Sequence, residues 1–231
     1  MTDGIALIVD IVGSRTLEDR AGAQRAVLET LAAAARNEKV LRDPWATVGD
    51  EFQMILADLD AAVRTTGLTH LLLPEGLQVR FGLGSGSLSE IPGTGNGASG
   101  TPIQDGSAWW AAREAIHQVH RLRESGQETA LTWYAVGEGG SERGRHGPGD
   151  HEPEATAESL VNPLLLLRDH VVMRMKTRER RIAAALLQGT TQVDIARAEG
   201  ISQSAVSQSA HRSGAATLVE VHRLLRTETA S

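Results

Sequence analysis

An α/β (α+β) fold with a separate all-α C-terminal domain is predicted by three features of the 231-residue sequence. Strand-like and helix-like segments alternate in the order β-α-β-β-α-β before residue 87, whereas the segments after residue 156 have only helical periodicity. Charge divides the chain in the same way. Residues 164–231 carry ten Lys and Arg against six Asp and Glu, but residues 1–163 carry thirteen against twenty-three. We therefore predict two modules, of which the basic one is the candidate for nucleic acid.

Composition excludes several classes of protein. Hydrophobic residues make up 41% of the chain but aromatic residues only 3%, so we expect a core of Leu, Val, Ile and Ala. The absence of cysteine excludes disulfides, thiolate metal sites and cysteine nucleophiles. There is no basic leader and no apolar run of membrane length, which predicts a cytoplasmic protein that does not associate with membranes.

Two carboxylates stand out in the first predicted strands. Residues 5–14 form an almost wholly apolar run that contains one acid, Asp10, as is typical of a strand covered on both faces. Residues 45–56 read as a β-hairpin whose tight turn is Gly49-Asp50. If these strands pair, Asp10 and Asp50 meet at one sheet edge, where they repel each other unless a hard cation lies between them. The alternative is that Asp50 only makes the turn and Asp10 only accepts backbone hydrogen bonds.

The other predicted elements complete a ferredoxin-like sheet, in the order of a split βαβ unit. They are helices over 16–35, 59–73 and 108–124, the last capped by Ser107, and strands over 77–86 and 131–136. The glycines of the strand over 77–86 should allow another backbone or a ligand to come close. Residues 87–106 are predicted to be a glycine-rich loop without regular structure, and residues 137–156 a flexible linker.

Residues 157–231 are predicted to form a helical domain with a helix-turn-helix motif over 192–211. The motif has a small residue at the helix crossing, a glycine in the turn and two apolar plugs, which are Ala196, Gly200, Ile201 and Val206. Thr190 or Thr191 should cap its first helix and Ser202 its second.

The second helix of this motif should present short polar groups to DNA base edges, flanked by arginines for phosphates. The predicted DNA-binding residues are Gln192, Arg197, Ser202, Gln203, Ser204, Ser207, Gln208, His211 and Arg212. The alternative is a structural helix bundle, favoured by Glu199 before the turn and by Ser209, since apolar residues are usual at both places. One short helix reads few base pairs, so we expect a homodimer on double-stranded DNA.

Two family resemblances follow from these motifs. Nearly the whole chain resembles the SatD family, in segments 10–15, 48–53, 80–84 and 105–115 followed by the helix-turn-helix. The front part is also similar to class III nucleotidyl cyclases. Asp10-Ile-Val-Gly-Ser14 resembles their Asp-Ile-x-Gly-Phe/Ser segment, Thr47-Val-Gly-Asp50 their Thr-Ile-Gly-Asp hairpin, and Arg80-Phe-Gly-Leu-Gly-Ser-Gly86 their Arg-x-Gly-Ile-x-x-Gly strand. Val48-Gly-Asp-Glu-Phe52 resembles the GGDEF signature of diguanylate cyclases, whose palm has the same order of elements.

The cyclase resemblance implies a nucleotide site with a divalent metal. Asp10 and Asp50 would be ligands of Mg²⁺, and the turn Gly13-Ser14-Arg15 would receive the phosphates. Arg113 would replace the arginine that cyclases place on a late helix. Ala46 stands where adenylyl cyclases carry a lysine, and Val48 replaces the first glycine of GGDEF, so substrate contacts are lost.

We therefore interpret residues 1–136 as a palm domain that senses, or dimerises around, a nucleotide and a metal within a transcriptional regulator. One alternative is an enzyme, a nucleotidyl cyclase or nucleotidyltransferase acting on a nucleoside triphosphate. The other is a degenerate palm that serves only for dimerisation. Trp109 and Trp110 are interpreted as core and dimer packing, and His117 and His120 as part of a solvated helix face.

Overall fold

The structure is a computed structural model that describes residues 2–47, 49–91, 103–137 and 156–227. These residues form a mixed α+β fold with six strands and eight α-helices. The strands are β1 (Thr2–Ile11), β2 (Val40–Ala46), β3 (Glu51–Leu56), β4 (Val79–Ile91), β5 (Ile103–Asp105) and β6 (Thr132–Val136). The helices are α1 (Arg20–Ala34), α2 (Leu59–Leu72), α3 (Ser107–Glu124), α4 (Ala157–Arg174), α5 (Thr177–Leu187), α6 (Gln192–Glu199), α7 (Gln203–Ser213) and α8 (Ala215–Thr227). Among the described helices, none has both the length and the hydropathy that a membrane span requires.

The strands form one sheet in which β1 is central. The order β2-β3-β1-β4 is antiparallel throughout, and β6 pairs with β4 in parallel. Helix α3 makes the crossover between β4 and β6, as parallel pairing requires. The short β5 pairs with the far end of β4. In this register Asp10, near the end of β1, lies between Glu51 of β3 and Arg80 of β4.

Helices cover both faces of the sheet, which explains why β1 is almost wholly apolar. The odd-numbered residues of β1 from Ile5 to Ile11 join the main core with α1 and α2, whereas Ala6 and Ile8 face α3. An added Cβ at Gly82 or Gly84 of β4 would collide with the backbone of α3. The predicted close approach at these glycines is therefore confirmed, and the neighbour is a helix backbone.

The C-terminal helices pack against the sheet through a buried polar network. Arg168 of α4 donates to the Asp169 carboxylate from Nη2 (2.7 Å), to Thr66 Oγ1 (2.9 Å) and to Thr132 Oγ1. The backbone N–H of Leu131 also donates to Asp169, at 3.0 Å. Burial raises the pKa of Asp169, and the charge of Arg168 opposes that rise. The network joins α4 to α2 and β6.

Two further arginines attach the helical end of the chain to α2. Arg180 of α5 donates to the carbonyl oxygens of His70 and, at 3.2 Å, of Leu73, at the end of α2. Arg64 of α2 donates to the carbonyl oxygen of Leu225 in α8 (2.8 Å) and pairs with Glu38. Both arginines therefore satisfy carbonyl groups that a helix end leaves without an intrahelical partner.

Several predicted boundaries are wrong. Residues 87–106 are not all loop, because β4 continues to Ile91 and pairs with β5, a ladder that needs no apolar run. Helix α1 starts after the cap Asp19 rather than at residue 16, which ends a 3₁₀ turn, Ser14–Thr16. Helix α3 begins at Ser107, so its N-cap is Gly106 and not Ser107. The Ser107 hydroxyl accepts a hydrogen bond from the Ser87 N–H instead of capping the helix.

Two predictions fall outside the described residues: the strand position of Val48, and nearly all of the linker predicted over 137–156.

Candidate functional site

Charged side chains gather under α3, where β1 ends and β3 and β4 begin. We call them the strand-end cluster, whose members are Asp10, Glu51, Arg80, Arg113 and His120. Strand periodicity places Asp10 on the α3 side, two residues after Ile8. The cluster therefore lies at the end of the apolar contact between α3 and the sheet.

Both oxygens of Asp10 are engaged. Arg80 Nε donates to Oδ1 at 2.7 Å, and His120 Nε2 lies 3.0 Å from Oδ2. Arg80 Nη1 also lies 3.1 Å from His120 Nδ1. A guanidinium can only donate, so Nδ1 is the acceptor and Nε2 carries the proton that His120 donates to Asp10. These contacts close a triangle between Asp10, Arg80 and His120.

Glu51 forms the second pair of the cluster. Its carboxylate accepts hydrogen bonds from both terminal nitrogens of Arg113 in α3, and the distance from Nη2 to Oε1 is 3.0 Å. Gln53 Nε2 adds a contact to Oε1 at 3.2 Å. Two carboxylates on neighbouring strands are thus neutralised by two guanidinium groups, and α3 is held over the sheet by Arg113 and His120.

The predicted acids come to the same end of the sheet, but in a different arrangement from the expected metal pair. Asp50 lies in the β2–β3 turn beside Glu51, and the Gly49 carbonyl oxygen of this turn accepts from Gln24 Nε2 at 2.7 Å. Asp10 is bound by Arg80 and His120 rather than left open. Within the described ranges, no three His, Asp or Glu side chains are grouped as a metal site. As arranged, the Asp10 carboxylate is occupied by Arg80 and His120, and it would have to leave them to bind a cation.

The predicted phosphate turn directly follows β1. Gly13 has the left-handed φ of 68°, Ser14 is buried and Arg15 is exposed in the 3₁₀ turn. In the part of the chain that the structure describes, no hydrogen bond or ion pair joins this turn to Arg113, which pairs with Glu51. The structure therefore brings Asp10, Asp50 and the turn to one end of the sheet and connects Arg113 only to the hairpin.

Sequence reasoning missed three members of the cluster: Glu51, Arg80 and His120. His117 is exposed, as interpreted, and His120 has 39% of its side chain exposed but also contacts Asp10 and Arg80. A signal existed, because His120 lies four residues after the buried Ile116 on the covered side of α3. Trp109 lies in the core, 7% exposed, and its ring centroid is 6.0 Å from that of Trp45. Trp110 is 72% exposed.

The predicted helix-turn-helix corresponds to α6 and α7, two helices joined by a short turn. Gly200 ends α6 with a left-handed φ of 65°. Thr191 Oγ1 accepts from the Asp194 N–H and Ser202 Oγ from the Ala205 N–H, so both predicted caps are confirmed. A small core of Ile182, Ile195, Ala196 and Val206, with Ile201 packed against it, joins both helices to α5.

Most of the predicted DNA-facing residues share one open surface of α7. The five exposed ones within α7 are Gln203, Ser204, Gln208, His211 and Arg212, and Ser202 at its N-cap and Arg197 on α6 are exposed as well. Ser207 and Gln192 are half-buried, and Ser202 caps α7 while its Oγ lies 2.9 Å from Ser204 Oγ. Arg197 lies apart on α6, where it pairs with Asp194 at 2.9 Å. We call the five exposed residues the recognition face.

Glu199, which the sequence marks as unusual, connects α6 to α5. Its carboxylate, 14% exposed, lies 2.7 Å from Arg181 Nη2 and 3.6 Å from Arg178 Nε. The hydrogen bond from Arg181 holds the pKa of Glu199 below its ordinary value. An ion pair therefore takes the place of the usual apolar contact before the turn.

Among known protein families, the SatD family model matches residues 4–134. That range is more than half of the chain and includes most of β1, all of β2 to β5 and α1 to α3, the whole strand-end cluster and the first part of β6. The helix-turn-helix lies outside it. No curated protein matches the chain.

Proposed function

This chain belongs to the SatD family, and we propose that it is a DNA-binding transcriptional regulator whose sheet-bearing part responds to a nucleotide. The recognition face carries the proposal. It places five polar side chains on the open side of α7, with a tight αL turn and two capped helices behind it. A short polar helix face beside cations is what base readout in a major groove requires.

The chemistry of the recognition face suits base edges. Gln203 and Gln208 each offer an amide that can donate and accept, the pattern that pairs with adenine. Arg212 and His211 extend the face toward the end of α7. The excess of cations after residue 163 adds the sequence-independent attraction to phosphates.

Base readout is tested with a duplex selected from a random pool by the whole chain. Gln203→Ala should relax sequence preference, costing about 1–3 kcal/mol for the preferred duplex and little for a scrambled one. Gln127→Ala, an exposed glutamine outside the motif, is the matched control. If no duplex is enriched, or if Gln203→Ala binds both duplexes as wild type does, the motif is a structural bundle.

We further propose that the protein acts as a homodimer. A single α7 covers too few base pairs for useful specificity, so two copies should occupy half-sites about 34 Å apart. Exposed apolar side chains available for contact between copies are Leu160 and Leu167 on α4 and Trp110 on α3. Light scattering should give a dimer. A strict monomer at the concentration of DNA binding contradicts this part.

The strand order supports a palm-like role for the sheet. The order β2-β3-β1-β4 is that of a split βαβ unit, with Asp10 near the end of the central strand and Asp50 in the adjacent hairpin turn. We propose that nucleotide phosphates bind at Gly13, Ser14 and Arg15 and compete with Glu51 for Arg113. Arg113 is suited to this, since 42% of its side chain is exposed.

Mg²⁺ bound by Asp10 and Asp50 stays a prediction. Binding would require Arg80 and His120 to release Asp10, which favours a sensor over an enzyme. The enzyme alternative, a nucleotidyl cyclase or nucleotidyltransferase, rests on the positions of the two acids near one strand end. A palm used only for dimerisation is the third alternative.

Thermal unfolding separates these alternatives. A nucleoside triphosphate with Mg²⁺ should raise the Tm more than either alone, because a ligand that binds only the folded state stabilises it. Asp50→Asn should abolish the synergy, while Asp43→Asn on the exposed part of β2 should keep it. An enzyme would also release pyrophosphate in an Asp50-dependent way. If calorimetry detects no nucleotide binding, the sheet is a dimerisation scaffold.

A further inference from the structure

A groove with a cationic rim runs between the start of α5 and the side of α7. It encloses about 520 Å³ and opens to solvent. Its rim carries four cationic side chains, Lys176, Arg178, Arg181 and Arg212. Its floor includes Ala205 and Ser209 of α7. Arg212 also belongs to the recognition face, so the groove borders the surface that we propose reads DNA.

The rim keeps a net positive charge despite two nearby acids. Glu199 lies beneath the rim and pairs with Arg181 and Arg178, which nevertheless stay 54% and 60% exposed. The Glu179 carboxylate accepts from the backbone N–H of Lys176 at 2.9 Å and so closes the start of α5. Within the described residues, neither Lys176 nor Arg212 takes part in an ion pair. Four cations against two acids leave the groove attractive to an anion.

The depth of the groove comes from Ser209, a position without a role in the proposed function. An apolar plug is usual there, but the core under α7 is supplied by Val206 and Ala210 instead. Because Ser209 and Ala205 are small and only half-buried, space remains between α7 and α5. A larger side chain at position 209 would occupy that space.

We propose that this groove holds the sugar-phosphate backbone of DNA on the α5 side of α7, an inference that rests on the proposed function. Lys176, Arg178 and Arg212 would contact the phosphates. Sequence reasoning assigned the phosphates to Arg197 and Arg212, but Arg197 lies on α6 in a pair with Asp194. Recognition face and groove share Arg212, so a duplex seated on α7 brings one of its backbones to the groove.

The salt dependence of binding tests this proposal. The probe is a fluorescein-labelled mixed-sequence duplex of about 20 base pairs, titrated by anisotropy with the whole chain between about 50 and 200 mM salt. The double variant Lys176→Gln/Arg212→Gln should make the negative slope of log K against log salt shallower by about 1.8, since each phosphate contact contributes about 0.9. Affinity at the lowest salt should fall by about tenfold or more. Arg223→Gln on α8, an arginine paired with Glu220, is the matched control and should change neither.

Each outcome has a distinct meaning. A shallower salt dependence in the double variant, with the control like wild type, supports the groove as a binding site for the DNA backbone. If wild type binds DNA and the double variant has the same slope, the groove does not hold the DNA backbone, and an acidic peptide becomes the alternative occupant. The helix-turn-helix proposal stands in that case. If wild type does not bind DNA at all, the proposed function fails and the inference with it.

Discussion

The two halves of the molecule hold their charges in opposite ways. In the strand-end cluster, Asp10 and Arg80 meet at 2.7 Å and are each at least four-fifths buried, so the attraction is used inside the protein. On the helix-turn-helix side, Lys176 and Arg212 are exposed. The Asp10 carboxylate is thus neutralised within the fold, whereas the cations of Lys176 and Arg212 stay open to a macromolecular partner. Mutation of charged residues should therefore reduce stability in the sheet half and reduce DNA binding in the helix-turn-helix half.

The largest loss of stability is expected at the network that joins the halves. Asp169→Ala removes a carboxylate that is 0% exposed and leaves the Arg168 guanidinium without its acid. The free energy of unfolding, measured with urea, should fall by about 3–5 kcal/mol. Asp43→Ala on the exposed part of β2 is the control. A loss below about 1 kcal/mol would show that the network does not hold the halves together.

The next largest effect depends on pH. Burial, followed by the charges of three arginines, lowers the pKa of His222 to about 4, the arginines being Arg168, Arg64 and Arg226. Burial also holds the pKa of His70 well below its ordinary value of 6.5. Below pH 6.5 the unfolded chain takes up protons that the folded chain excludes, so falling pH favours unfolding. Between pH 6.5 and 4, His222 alone should cost about 3 kcal/mol.

Urea unfolding across this pH range measures the effect, and His222→Gln isolates it. The variant should lose less stability between pH 7 and 4 than wild type does, because the glutamine does not titrate. If both proteins lose the same amount of stability, the His222 imidazole is protonated in the folded chain, and water reaches it more easily than its burial indicates.

A smaller loss is expected in the strand-end cluster. Asp10→Ala removes the partner of Arg80 and of His120, so the free energy of unfolding should fall by about 1–3 kcal/mol. Glu114→Ala, which breaks an exposed pair with Arg121 on α3, should cost much less. A rise in stability for Asp10→Ala would instead show that the carboxylate is held at a cost, as expected for a group kept for a ligand.

The smallest effect is expected on α6. Arg197 and Asp194 form a pair with both side chains mostly exposed, so Arg197→Gln should change the free energy of unfolding by less than about 0.5 kcal/mol. Thermal unfolding by circular dichroism suffices to measure this. A larger loss would mean that the exposed charges of the helix-turn-helix half also serve the fold, and would remove the distinction from the sheet half.

Sequence reasoning succeeded where a structure is specified by neighbouring residues. The caps Thr191 and Ser202 and the turn at Gly200 all lie within about four residues of the backbone groups they serve. The alternation of Phe52, Met54 and Leu56 similarly identifies β3, because strand faces repeat every two residues. Such signals need no knowledge of the rest of the fold.

It failed where partners lie far apart in the sequence. His120 is 110 residues from Asp10, and Arg168 bonds to Thr66 across 102 residues. Periodicity shows that Asp10 is unusual in an apolar strand, but only the strand pairing and the crossover of α3 show which cation meets it. The same holds for the groove, where Lys176 and Arg212 come together through helix packing.

Base reading by the recognition face is tested most directly by equilibrium binding of the whole chain to its selected duplex. Anisotropy is measured for wild type, for Gln208→Ala on the recognition face and for Arg121→Gln, a loss of charge on α3 in the sheet half. If the recognition face reads bases, Gln208→Ala should weaken binding by about 1–3 kcal/mol, whereas Arg121→Gln should bind as wild type does. Equal binding by all three proteins, or weakening by Arg121→Gln alone, would contradict it.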